Sequence, residues 1–133
     1  MKVTIVGAGL SGSQAALTLA DLGYEVTLYE MKPQKRSPAH HLDDFGELVC
    51  SNSFKAKRLR SAAGLLKGEG LMLGASLLAL AAKEAIPAGG ALAVDRHRFA
   101  AEITQRIKNH PQILVKSEEV RELPKERPLI LAA

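Results

Sequence analysis

The sequence predicts an α/β fold with a parallel sheet wound from βαβ units, and three observations carry that prediction. An apolar run, Val3 to Val6, leads into Gly7-Ala8-Gly9-Leu10-Ser11-Gly12. An amphipathic helical pattern then runs to Leu22. A second alternating run, Glu25 to Glu30, ends in an acid. Strand, glycine turn, helix and acid-terminated strand are the parts of a dinucleotide-binding βαβ unit, so the expected fold is Rossmann-like.

Each part has a physical reason. Gly7 lets the chain turn sharply as it leaves the strand, and Gly9 lets backbone approach a pyrophosphate. Gly12 lets the helix pack closely on the sheet. The helix starts with free N–H groups and the positive end of its dipole, a setting for phosphate. Ala15, Ala16, Leu19 and Ala20 recur at helical spacing and are expected to face the sheet. Gly23 stands where a helix-ending glycine belongs. Glu30 lies 18 residues past Gly12, against about 20 expected for a ribose-binding acid. A carboxylate there accepts ribose hydroxyls and repels a 2′-phosphate. Gly7, Ala8, Gly9, Leu10, Ser11, Gly12 and Glu30 are therefore the candidate cofactor-binding residues.

The next stretch, Met31 to His41, holds two prolines among polar and basic residues and reads as a loop. Lys32, Lys35 and Arg36 are expected to be solvated, with a phosphate or RNA contact as the alternative. His40 and His41 are adjacent, so their side chains diverge. With no cysteine pattern nearby they make a poor metal site, and no metal is expected.

Cys50 is followed by Ser51, Asn52 and Ser53, residue types that cap helices. A thiol just before a helix N-terminus gains thiolate character, whereas a single cysteine is also commonly buried and inert. Both readings stay open on the residues alone. Lys55 to Ile86 is expected to be mostly helical, opening with the basic cluster Lys55-Ala-Lys-Arg-Leu-Arg60. That cluster reads as a solvated face or an RNA-phosphate contact. Gly64, Gly68 and Gly70 predict a break before a second helix, Leu71 to Ala85, with Leu71, Ala75, Leu78 and Ala82 on one face.

Pro87 to Arg96 reads as a glycine turn and a short extended piece. Asp95 is placed to cap a helix over His97–Lys108, with Phe99, Ala100, Ile103 and Ile107 on its apolar side. Arg96, beside that cap, is placed to reach a phosphate or to pair with a carboxylate. Strands are expected at Ile113–Lys116, at Glu118–Leu123 and in the final apolar run from Pro128. That unterminated run predicts an N-terminal piece of a longer chain.

The 133 residues suffice for one domain but not for a two-domain flavin or nicotinamide enzyme. A net charge of +4 mildly favours an anionic partner. Cys50 is the only cysteine, which excludes a disulfide framework and predicts a reducing, cytoplasmic setting. Met1 leads straight into the first strand, and no signal peptide is expected. The apolar stretch Leu71 to Ala82 is too short to span a bilayer, so no membrane partner is expected. The sequence carries no signal for oligomeric state.

Five stretches carry a resemblance: Gly7 to Gly12, Tyr29-Glu-Met-Lys-Pro33, Pro38-Ala-His-His41, Glu47-Leu-Val-Cys-Ser-Asn-Ser53 and Pro87-Ala-Gly-Gly-Ala-Leu-Ala-Val-Asp-Arg96. Through them the chain resembles the FAD- and folate-dependent tRNA (uracil-5-)-methyltransferases, of which it covers about the N-terminal third. The glycine turn is generic to flavoproteins; the stretches around Cys50 and before Arg96 are specific. The resemblance implies a Rossmann-like FAD-binding domain of the glutathione-reductase type, incomplete at its C-terminus. The late strands fit that plan and favour FAD. It further implies that NAD(P)H reduces the flavin, that methylenetetrahydrofolate donates the one-carbon unit, and that C5 of a T-loop uridine in tRNA receives it. Cys50 matches a cysteine implicated beside the flavin. The uracil-attacking cysteine belongs to a later part of such enzymes. Lys55 to Arg60 is more basic than the family leads one to expect. Two other readings accompany this one: a related flavoprotein modifying wobble uridine, and a non-catalytic dinucleotide-binding fragment.

Overall fold

The computed structural model describes residues 1–133. Four strands make one parallel sheet in the order β6-β2-β1-β7: β1 (Lys2–Val6), β2 (Glu25–Glu30), β6 (Ile113–Ser117) and β7 (Leu129–Leu131). β1 sits centrally, with Ile5 opposite Leu28 on one side and Ile130 on the other. The connection from β1 to β2 is α1 (Leu10–Asp21), which gives the predicted βαβ unit. α1 buries Gly12, Ser13, Ala16, Leu17 and Ala20, while Ala15 and Leu19 pack at the edge of the core. Gly23 adopts a φ of 86° and ends that helical segment.

Between β2 and β6 the chain builds a second, antiparallel sheet. Its order is β3-β5-β4, from β3 (Ser53–Ala56), β4 (Ala85–Ile86) and β5 (Ala91–Val94). Helices α2 (Ala62–Met72) and α3 (Ser76–Lys83) lie against it, and α4 (Arg96–Asn109) returns the chain to β6. Asp95 caps α4 as expected, accepting from the N–H groups of His97 and Arg98. Phe99, Ala100, Ile103 and Ile107 are fully buried beneath it. Leu77, Leu80 and Ala81 join Val94 and Phe99 in the same core as Ile5 and Leu28.

Four expectations need correction. Residues 55–86 are mostly helical as expected, in α2 and α3, but the ends of the stretch are not: Lys55–Ala56 belong to β3 and Ala85–Ile86 to β4. Gly64, Gly68 and Gly70 lie inside α2, and the break falls at Gly74, with φ of 80°. These three serve close packing: an added Cβ at Gly64 would stand 1.9 Å from the Arg58 carbonyl oxygen, and one at Gly70 would stand 2.7 Å from Leu78 Cδ1. Leu71 therefore belongs to α2, and the second helix starts only at Ser76.

Residues 118–123 form no strand, since this charged segment carries the connection from β6 back to the start of β7. Lys32 is buried, not solvated. Its ammonium donates to the Asp44 carbonyl oxygen and lies 3.8 Å from Glu47, with both side chains 4% exposed. Lys35 and Arg36 do lie at the surface, paired with Glu119 and Asp43.

No single helix is long and apolar enough to cross a membrane. The two apolar helices α2 and α3 meet at an angle of 115°.

Candidate functional site

The turn after β1 is built by contacts that leave its outer side open. Gly7 has a φ of 98°, a conformation open to glycine, and an added Cβ there would stand 2.7 Å from the Ala132 carbonyl oxygen. Gly12 brings α1 onto the turn itself: its Cβ would stand 1.8 Å from the Gly7 carbonyl oxygen. Gly9 is the opposite case, with no atom within 4 Å of an added Cβ. Ser13 Oγ donates to the Ala8 carbonyl oxygen and ties the buried base of the turn.

Glu30 is 7% exposed, and both carboxylate oxygens are engaged by backbone. Oε2 accepts from the Ala8 N–H at 2.8 Å, and Oε1 accepts from the Lys32 N–H at 3.0 Å. The acid therefore fixes the glycine turn to the end of β2 while retaining lone pairs for further donors. The loop beyond it is pinned as well. Gly46 N–H donates to the Ala8 carbonyl oxygen at 2.8 Å, and Phe45 N–H donates to Thr104 Oγ1 at 2.8 Å. Burial pushes the Glu47 carboxyl up, but the His41 and Leu42 N–H groups, with Lys32 and His40, outweigh it and hold the carboxyl below its ordinary value.

The helix N-termini differ. Ser61 caps α2 and Asp95 caps α4. At α3, Gln14 Oε1 accepts from the Leu77 N–H. α1, like α3, has no capping side chain at its N-cap and no acid in its first turn, and no residue elsewhere does for α1 what Gln14 does for α3. The leading N–H groups and dipole of α1 face a cleft of about 470 Å³ lined by Gly7, Gly9, Glu30, His40, Glu119 and Val120, among others. An anion on this turn satisfies groups that the fold leaves without partners.

The predicted site residues fall into two places. Gly7, Gly9 and Glu30 line the first cleft, with Ala8 buried behind them. Ser11 is exposed in the first turn of α1, and Leu10 is half-buried. Gly12 sits beneath, as packing. Cys50 and Arg96 instead line a second cleft of about 460 Å³, with Ser51, Asn52, Ile86, Val94 and Asp95. Cys50 is exposed, so it is not the buried cysteine that one of the two readings expected. No helix follows it either. Ser51 Oγ accepts from the Ser53 N–H, and Asn52 Nδ2 donates to the Val94 carbonyl oxygen. These side chains shape a turn and a strand instead of a cap, an alternative that Ser and Asn always offer the backbone.

Sequence reasoning missed two features: the buried Lys32–Glu47 pair and the contribution of residues 118–120 to the first cleft. The Lys32-Pro33 and Gly46-Glu47 steps carry no periodic signal, and only the fold brings them together.

Fold and glycine turn together define a Rossmann-like α/β protein, of the class whose first βα turn is shaped for a dinucleotide. Residues 2–131 match the family described as glucose inhibited division protein A, and the chain belongs to that family. Proteins named methylenetetrahydrofolate–tRNA-(uracil-5-)-methyltransferase TrmFO from Bacillus licheniformis and Bacillus subtilis are each 55% identical to it over 130 residues. Its counterpart in Bacillus pumilus is 54% identical. These matches cover 98% of this chain and 30% of each relative, so the chain spans less than a third of their length. The crystal structure of Aquifex aeolicus GidA superposes with a TM-score of 0.69 over 90% of this chain and 20% of that one, at 18% identity. That likeness concerns the fold alone.

Proposed function

We propose that residues 1–133 form the N-terminal part of the FAD-binding domain of a folate-dependent tRNA (uracil-5-)-methyltransferase. The observation that carries the reading is the uncapped N-terminus of α1, opening onto the cleft that Glu30 bounds. Identity of 55% to proteins named for that reaction supports the choice of enzyme over a wobble-uridine flavoprotein.

The residues fit the cofactor. The free N–H groups of Leu10, Ser11 and Gly12 suit a pyrophosphate, and the open side of Gly9 lets it approach. Glu30, already fixed by two backbone donors, accepts the ribose hydroxyls on its remaining lone pairs. When bound, FAD supplies the redox chemistry of one-carbon transfer from methylenetetrahydrofolate to C5 of a T-loop uridine, with NAD(P)H as reductant. Cys50 supplies this chain's thiol to the reaction, and Arg96, in the same cleft, is a cation for a phosphate. The thiol that attacks the uracil comes from outside this chain.

Titrating FAD into the chain while following flavin fluorescence tests the reading. Saturable binding is expected, with no competition from a dinucleotide bearing a 2′-phosphate, which the Glu30 carboxylate repels. Absence of saturation in the folded chain contradicts it.

A further inference from the structure

Between Glu47 and Glu69 the chain has no acid, yet it carries Lys55, Lys57, Arg58, Arg60 and Lys67. Elsewhere cations are commonly paired: Lys35 with Glu119, Arg36 with Asp43, Lys83 with Glu102 and Arg98 with Glu84. Lys55, Lys57, Arg58 and Arg60 are all exposed, and none belongs to any of the nine ion pairs of the molecule.

The loop bearing them is held in place by its backbone. Lys57 N–H donates to the Gly90 carbonyl oxygen at 2.9 Å. The Arg58 carbonyl oxygen accepts from both the Ser61 N–H at 2.9 Å and Ser61 Oγ at 2.7 Å. Gly64 and Gly68, one turn apart on α2, form the seat: added Cβ atoms there would stand 1.9 Å from the Arg58 carbonyl oxygen and 2.8 Å from Leu59 Cδ2. Lys55 has a φ of 66°, rare for a residue with a side chain, at an irregularity in the β3–β5 pairing. β3 also leads directly from the Cys50 cleft to this loop, a strand of only four residues.

We infer that residues 55–60 are a rigid phosphate-binding surface for an RNA strand, one that grips the substrate beside the Cys50 cleft. The inference rests on the function proposed above. Arginine forks and an unneutralised run of charge suit successive phosphates. Leu59, 66% exposed between Arg58 and Arg60, turns its Cδ2 toward Gly68 of α2, so the loop offers a partner four cations and one apolar side chain. The function proposed above, with its RNA substrate, is what favours RNA over a lipid surface here.

The test is fluorescence anisotropy of a labelled, unmodified tRNA transcript with the 133-residue chain over a series of KCl concentrations, alongside FAD titration of the same samples. Replacing Lys57, Arg58 and Arg60 together by Gln is expected to weaken RNA binding about hundredfold at 0.1 M salt and to flatten the log–log salt slope by about 2. FAD binding is expected to be unchanged, which reports that the variant is folded. The double variant R58K/R60K, which keeps the charge, is expected to keep the salt slope. An unchanged slope in the triple variant overturns the inference and leaves the FAD reading standing. So does a wild-type chain that holds FAD but no RNA, or one that loses only binding to phosphatidylserine vesicles on mutation. RNA binding with the predicted slope, but no FAD binding, supports the surface and strikes the parent reading instead.

Discussion

The N-termini of α1 and α4 begin in the same way and end up opposite in use. Each follows a strand and starts a helix whose inner face is buried in the common core. At α4, Asp95 accepts from His97 and Arg98 and so satisfies the first turn from within. Its carboxyl is held below the ordinary range, first by the Arg98 N–H. At α1 the capping position is Gly9, which has no side chain to offer. Glu30, an acid of the same cleft, spends its oxygens on Ala8 and Lys32 instead of on the helix. A helix end that the fold closes is structural, and one that it stabilises but leaves open is a place for an anion.

Gly12→Ala gives the largest expected effect on this comparison. The new methyl would collide with the Gly7 carbonyl oxygen, a backbone atom that cannot swing away. Overpacking of this kind costs about 3 kcal/mol or more, and a large fall in thermal midpoint checks it. Glu30→Ala comes next. It strands the buried Ala8 N–H, with an expected loss of about 1–3 kcal/mol, and it also weakens FAD binding. Urea unfolding and flavin titration of one variant separate the two losses; weaker binding at full stability confines Glu30 to the ligand.

Acid tests the ledge that holds the turn. The Glu47 carboxyl lies below its ordinary value of 4.5 in the folded chain. The unfolded chain therefore binds the proton first, and the contribution of Glu47 is complete above that value. It is lost as pH falls through the lower, folded value. Stability measured downward from pH 6 is expected to drop around and below pH 4.5, and less so in Glu47→Gln. Equal slopes in the two proteins would remove Glu47 from the account. Asp95→Ala, the smaller change, is expected to cost about 1 kcal/mol as a lost cap and to leave FAD affinity unaltered.

The open end was legible in the sequence and its supports were not. Gly7, Gly9, Gly12 and Glu30 belong to one βαβ unit, where spacing along the chain maps directly onto space. Asp95 and the apolar stripe of α4 are similarly local. β3 depends on pairing with β5, where Ser53 meets Ala93 far along the chain, and its own residues carry no alternating pattern. Ser51, Asn52 and Ser53 suit a cap and a turn equally well, and the sheet decided between them. Lys32 looks solvated beside Pro33, and only the return of residues 44–47, with Phe45 and Gly46 buried, gives it the Asp44 carbonyl oxygen and Glu47 as partners.

The central claim is that α1 is left uncapped for a ligand, and Gly9→Ala examines it most directly. Gly9 has a φ of −68°, which alanine adopts readily, and open space for the methyl. Flavin fluorescence titration of this variant beside the wild-type chain is the measurement. The account predicts an unchanged or slightly raised thermal midpoint, because alanine restricts the unfolded chain, together with FAD affinity at least about tenfold weaker, or 1.4 kcal/mol. Equal affinity in both proteins would contradict it, and would make the open turn an unfilled end of a helix.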